Sequence, residues 1–461
     1  MRWLKISLPL VYLCGSLAGA QSQRIARISA PDDINPGEAS IAINPKNSDN
    51  IIVVSQQFGN KNGAYADNRQ YVTTDGGRAW RTIEAPNPRG VKQGDDSVAF
   101  SGDGVAYHAY ISFDGVSKFH LKRSYSAVLV SSSRDSGASW EDPVPLIEHI
   151  NSASPFEDKP YVVTDNAVTS PYKNNVYVAW TRFDDYGSAD PQCRSHIYFS
   201  RSSDSGRSFS APVRISKEPG DCVDNSNTVE GAFVATGVHG EIYVVWSGPR
   251  GLVFVKSLDG GLTFGGERVI TQTPGGWAFK VRGLRRANGM PIAKVDCSNS
   301  PYRGTIYVNW LDRRNGELTA YVTSSKDGGE TWSVPVPVKD DRPRNGMEQF
   351  DTWMAVDSVD GGVNVIFYER PDQPASTTNL ILARSVDGAR TFKNYRIDLK
   401  PFDFNPEIFI GDYNGIDAYG GLVAAAFEHF PSDRDPAISV AIIQFEAGTE
   451  NIIALQPQRP E

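Results

Sequence analysis

The side chains best suited to chemistry in this 461-residue chain are a few carboxylates, tyrosines and arginines. Asp96 and Asp158 are candidate proton donors, and Tyr413 with Glu230 forms a candidate nucleophile and base. A placed acid and an activated nucleophile are what cleavage of a glycosidic bond demands. Arg182, Arg313 and Arg370 add planar guanidinium forks, which suit a sugar carboxylate. A second set, His108 with Tyr186 and Arg194, offers a base and a cation, the requirements for β-elimination from a uronate polymer. A lone histidine on a strand is more often packed than reactive, so a purely structural reading of His108 competes with this one.

Residues so distant in the chain need a repeating frame to bring them together, and the sequence contains one. "SSKDGGETW" ends at Trp332 and has five near-copies: "TTDGGRAW", "SSRDSGASW", "SSDSGRSF", "KSLDGGLTF" and "RSVDGARTF". Upstream of each lies a β-branched and aromatic run, such as "NVYVAWTRF" or "TIYVNWLDRR", and before that another, such as "DKPYVVTD" or "DTWMAVD". These runs are too short for helices and are bounded by Gly, Asn and Asp, so they read as strands. Each repeat is then strand, strand, strand, boxed turn, strand, which is one blade of an all-β propeller. A seventh unit, "FIGDYNGIDA", "GLVAAAFEHF" and "AISVAIIQFE", has three strands and no box. An open edge must be covered, and "QRIARISA" near the start supplies a spare strand. The expectation is seven blades closed by both chain ends, with six blades as the alternative.

In each box the glycines or serine supply the positive φ of a tight turn, the aspartate accepts backbone N–H groups, and the closing aromatic is expected to bury and bolt its own outer hairpin. Loss of Trp332 should then cost roughly 3 to 5 kcal/mol. One acidic residue per box is too few for a calcium loop.

The repeated S-x-D-x-G-x-x-[WF] boxes resemble the Asp boxes, or BNR repeats, of the sialidase-like propeller superfamily, in its exported bacterial form, over nearly the whole mature chain. The resemblance implies a carbohydrate-active propeller, a sialidase-like glycoside hydrolase on an acidic sugar or polysaccharide. It also admits a uronate-cleaving lyase of the ulvan-lyase type or a propeller that only binds glycan or protein. The Arg-Ile-Pro motif of sialidases is absent, since the first blade reads "NPGEASIAI". In such propellers the ligand face is built from loops entering first strands and leaving second strands, opposite the boxes. Those positions hold Glu38, Asp95, Asp96, Asp158, Glu230, Asp351 and Asp412, with the arginines and tyrosines above. Cys193 and Cys222 sit in loops of adjacent blades on that face and are expected to pair, which leaves Cys297 free.

Composition narrows the partners. A formal charge of -8 and a pI near 5.4 disfavour nucleic acid and anionic membranes. The opening "MRWLKISLPLVYLCGSLAGA" has the basic start, apolar run and small residues of a signal peptide, so residues 1–20 are expected to be removed and 21–461 to form one secreted or periplasmic domain. No later apolar run is long enough to span a bilayer. No metal or other cofactor is expected, and G-x-S-x-G, H-E-x-x-H, P-loop and dinucleotide motifs are all missing. The expected partner is an acidic carbohydrate, bound by a monomer.

Overall fold

Alternating β-branched and aromatic runs broken by Gly, Asp and Asn leave the backbone little choice but short strands. A computed structural model describes residues 22–61, 64–65, 67–114, 124–340, 346–371, 377–432 and 435–455, and holds strands and no helix among them. The signal-like stretch 1–20 lies outside the described residues.

Seven antiparallel sheets follow one another. Blade 1 is Pro36–Ile43, Ile51–Gln57, Arg69–Thr73 and Arg81–Glu84, and blade 2 is Lys92–Phe100, Ala106–Asp114, Tyr125–Ser133 and Val144–Ile150. Blade 3 is Phe156–Thr164, Val176–Phe183, Ser195–Ser202 and Val213–Arg214, and blade 4 is Glu230–Thr236, Ile242–Gly248, Gly251–Ser257 and Arg268–Thr271. Blade 5 is Ile292–Val295, Ile306–Asp312, Thr319–Ser325 and Val336–Pro337, and blade 6 is Met347–Val356, Val363–Pro371, Asn379–Ser385 and Lys393–Arg396. Blade 7 takes Gly415–Tyr419, Leu422–Ser432 and Asp435–Phe445 from the far end of the chain and Gln23–Arg27 from the near end. Neighbouring first strands touch all the way round, blade 7 against blade 1 included, so the ring is closed at seven.

The boxed turns repeat one pattern of hydrogen bonds. In blade 5, Ser325 Oγ donates to Asp327 Oδ1 at 2.8 Å and accepts the Gly329 N–H at 2.8 Å. Asp327 Oδ1 also takes the N–H groups of Glu330 and Thr331, at 3.0 and 2.9 Å. Asp259 and Asp387 are held in the same way. What the box fastens differs from the expectation. A Cβ on Gly329 would fall 2.3 Å from the Phe254 ring of blade 4, on Gly261 2.6 Å from Phe199 of blade 3, and on Gly206 2.6 Å from Tyr107 of blade 2. In these three blades the turn seats its backbone on an aromatic ring of the preceding blade, while Gly77 and Gly137 meet Ile442 and Ile52 there instead, and glycine both permits that approach and takes the positive φ at least cost. Trp332 is only half-buried and packs edge-on against Phe254 at 5.5 Å, so it joins two blades rather than bolting one hairpin.

First strands carry the second recurring device. Five of them bulge near their entry, between Gly37 and Ser40, Gly94 and Ser97, Asp158 and Tyr161, Glu230 and Phe233, and Phe350 and Trp353. The residue that opens each bulge has positive φ: Glu38 (55°), Asp95 (52°), Lys159 (47°), Gly231 (71°) and Asp351 (47°). Glycine alone adopts this conformation cheaply, yet four of the five positions hold charged side chains. Just below, Tyr161, Phe233 and Trp353 occupy equivalent register positions and meet across the axis, Tyr161 stacking on Phe233 at 3.7 Å and Trp353 lying 5.8 Å from Phe233. They form an aromatic plug that divides the axis into an upper mouth and a lower lumen.

Candidate functional site

The bulges turn their charged residues into one buried cluster at the mouth. Lys159 Nζ donates to Asp412 Oδ2 at 2.5 Å and stands 4.0 Å from Asp95. Arg286 Nε donates to Asp412 Oδ1 at 2.6 Å, and the same guanidinium bonds Asp224. Tyr186 donates its hydroxyl to Asp224 Oδ2 at 2.9 Å. Asp158 lies against Asp95, whose Oδ2 accepts the Lys159 N–H at 3.3 Å, so two carboxyls meet in one buried place where a second negative charge is repelled. Glu230 is fully buried beside them, with neither carboxyl oxygen hydrogen-bonded.

Burial and neighbouring charge sort these groups into two states. Burial, reinforced by the charge of Asp95, pushes Asp158 well above the usual carboxylate range. Burial, with Asp224 next, does the same to Glu230, and burial with Asp95 raises Glu38. Asp95 and Asp412 go the other way: against burial, the Lys159 charge holds both low, with Arg286 adding to the effect on Asp412. Asp412 and Asp95 in turn hold Lys159 protonated in spite of its burial. The mouth thus favours a proton on Asp158 and the ionised form on Asp95. Its two cations are already engaged by carboxylates.

The residues singled out from sequence fare unequally. Asp158 and Glu230 reach the cluster. Asp96 does not offer a free acid: its Oδ1 meets His108 Nε2 at 2.5 Å and its Oδ2 accepts from Asn68 Nδ2 at 2.7 Å. His108 is wholly buried between that carboxylate and Gln70, so it touches no ligand. Tyr413 donates to the Asp96 carbonyl at 3.0 Å and shares no hydrogen bond with Glu230. The three arginines do not converge. Arg182 Nε is held by Glu157 at 2.7 Å with its guanidinium over Tyr198, Arg313 by Glu348 at 2.9 Å, and Arg370 is buried over Phe350. Arg194 folds back on its own loop, donating to the Cys193 carbonyl at 2.9 Å.

Cys193 and Cys222 are joined by a disulfide, with Cα atoms 5.7 Å apart, and Cys297 is a free thiol. The bridge ties the loop carrying Tyr186 to the loop carrying Asp224, and Gly187 N–H donates to the Cys222 carbonyl at 2.7 Å. It stiffens the rim on which those two residues meet.

Lys159, Arg286 and Asp224 escape sequence reasoning. Lys159 is one place beyond the acid of its blade. The other two lie in the long connections into blades 4 and 5, where "RGLRR", borne on the small hairpin of Ala278–Phe279 and Ala287–Asn288, was the available signal. Among the described residues no three His, Cys, Asp or Glu side chains are placed to hold a metal ion.

No protein-family model and no curated protein matches the sequence. Solved structures do match. The α-L-arabinofuranosidase Arb93A from Fusarium graminearum superposes with a TM-score of 0.51 at 11% identity, over 92% of this chain and 98% of that one. An ulvan lyase gives 0.48 at 14% identity, over 92% and 96%, and a Hadza microbial sialidase 0.44 at 14%, over 83% and 74%. Identities this low concern architecture alone, and in architecture the chain is a seven-bladed β-propeller.

Proposed function

We propose that the chain is an exported glycoside hydrolase that cleaves a neutral glycan at the mouth, with Asp158 as the proton donor. The observation that carries this reading is the Asp95–Asp158 pair, in which burial and the neighbouring Asp95 charge favour a proton on Asp158 where the blades converge. A leaving sugar oxygen needs such a proton. Asp95 and Asp158 act directly on one another, whereas the two carboxyls of a glycosidase stand roughly 5 Å or more apart, so the pair fills one role only. Asp224, oriented by Tyr186 and Arg286 on the disulfide-tied rim, is the carboxylate for the second role, as nucleophile or base. Neutral sugar is favoured because Lys159 and Arg286 are already paired, while Arg182 and Arg313 are engaged by Glu157 and Glu348. A lyase is disfavoured by the burial of His108. The fold likeness to an α-L-arabinofuranosidase supports sugar as the substrate class. Export rests on the signal-like residues 1–20.

The test is release of reducing sugar from a panel of neutral and uronate-containing glycans. Hydrolysis of a neutral glycan, lost in Asp158→Asn and Asp224→Asn by about 10²-fold or more with melting temperature retained, is the expected result. Unsaturated uronate products would establish the lyase instead. No product from any substrate would make the mouth a binding site.

A further inference from the structure

Below the aromatic plug the axis widens into a lumen of about 790 Å³ that opens on the face of the boxed turns. One register layer of the first strands holds Ala42, Ala99, Val163, Ala235, Lys294, Ala355 and Asp417, each two places beyond the plug layer, and all but Ala355 line the lumen. Five of these seven are small and apolar, and the two exceptions carry opposite charges. Lys294, on blade 5, holds its ammonium over the rings of Phe233 and Tyr161, at 5.2 and 5.9 Å, and neither donates a hydrogen bond nor joins an ion pair among the described residues. Asp417, on blade 7, is fixed by two backbone groups, its Oδ2 taking the Ile43 N–H at 2.8 Å and its Oδ1 the Ala418 N–H at 2.9 Å. Blade 6 stands between them and contributes only Ala355 to the layer. Two half-buried opposite charges on one wall would ordinarily close into a pair, since each alone carries a desolvation cost. Here no ion pair joins them, and each retains unused bonding capacity toward the lumen, whose wall beside them is formed by Ala42, Ala99, Val163 and Ala235 while Thr164, Asn166, Lys173 and Arg303 lie nearer its opening.

We propose that the lumen is a second binding site, for a small zwitterion of the α-amino-acid class with an apolar side chain. The ligand carboxylate would meet Lys294, its ammonium would meet Asp417, and its side chain would lie on the alanine and valine wall. Such a ligand supplies each charge with its opposite at once, which neither a simple anion nor a simple amine can do. The site is independent of the mouth, from which the plug separates it.

Calorimetric titration of the full chain with L-leucine, isovalerate and isoamylamine tests this, because the last two each keep one charge of the first. Leucine should bind at least about tenfold more tightly than either. Lys294→Met should reduce leucine to the level of isoamylamine, and Asp417→Asn to the level of isovalerate. Ala235→Phe, which covers the apolar wall without removing either charge, should weaken leucine binding at least about tenfold and covers the case in which a charge variant fails to fold. Asp158→Asn should bind leucine as the parent does, whatever becomes of glycan cleavage. Equal binding of isovalerate and leucine, an unaltered affinity in Lys294→Met, or no heat from any of the three compounds would overturn the proposal.

Discussion

Aspartates at the two ends of this propeller live under opposite rules. Those of the boxed turns lie near the surface, where neighbouring hydroxyl and N–H groups hold their carboxylates ionised. Against slight desolvation, Asp204 and Asp259 are brought down to about 2, with Ser208 and Thr263 as the leading donors. Those of the mouth are buried, have few donors, and are either pushed toward the protonated form like Asp158 or kept charged by a lysine like Asp412. The same side chain is a turn clip where donors are plentiful and a proton store where they are scarce.

The hardest blow to the comparison is removal of the cation that permits charge at the mouth. Lys159→Met leaves Asp412 and Asp95 buried without that counter-charge, and should cost about 3 to 5 kcal/mol in chemical denaturation. An unchanged midpoint would mean that the mouth carboxylates are not governed by Lys159.

At the other end, Gly329→Ala pushes a methyl group into the Phe254 ring at a φ of 84°, so a loss of about 1 to 3 kcal/mol is expected. Blade 6 has Ala389 at the corresponding place with a φ of 62°, so the backbone conformation alone is tolerable. If Gly329→Ala proves neutral, the boxes do not seat on the preceding blade. Trp332→Ala should cost less than a fully buried aromatic, because its ring is half-exposed.

The pH dependence separates the two ends by sign. Asp158 is raised in the folded state, so its contribution is present at low pH and is lost as pH rises through its folded value, by at most about 1.4 kcal/mol per pH unit. Asp158→Asn, which mimics the protonated form, should flatten the alkaline side of the stability profile. The box aspartates are lowered, so theirs is present above the ordinary carboxylate value and is lost as pH falls from about 4 toward the folded value of about 2 for Asp204 and Asp259. The smallest effect is expected of Asp327→Ala, a slight loss of stability by thermal or chemical denaturation, with affinity at the mouth unchanged.

Much of the fold was legible because the boxes are legible. A turn that needs positive φ, close approach and a clipping carboxylate admits few residues, so it recurs almost letter for letter, and the ring can be counted from it. The acids of the mouth could be located by their place in the repeat, as Asp158, Glu230 and Asp412 show. Their chemistry could not be read, since it depends on which neighbours share protons and charge. Asp96 and Asp95 are adjacent in sequence, yet the bulge turns one to the axis and the other onto His108. The arginines after second strands resemble a carboxylate clamp in sequence, but Arg182 and Arg313 are taken up by Glu157 and Glu348. Arg286 and Asp224 sit in connections whose lengths differ from blade to blade, where repeat arithmetic fails.

The strand that closes blade 7 also decides how the ring would come apart under load. Gln23 is opposite Ile443 and Arg27 opposite Ser439, so the two chain ends leave the seam on the same side. Tension applied between them falls first on the short pairing of Ile452–Ile453 with Gln444 and Phe445 and then on one hydrogen-bonded pair at a time, in the order Gln23 to Arg27, rather than on all of them together in shear. In an optical-tweezers experiment the seam should peel at low force before any other blade yields, and a cross-link between residues 23 and 443 should move the first rupture to a much higher force.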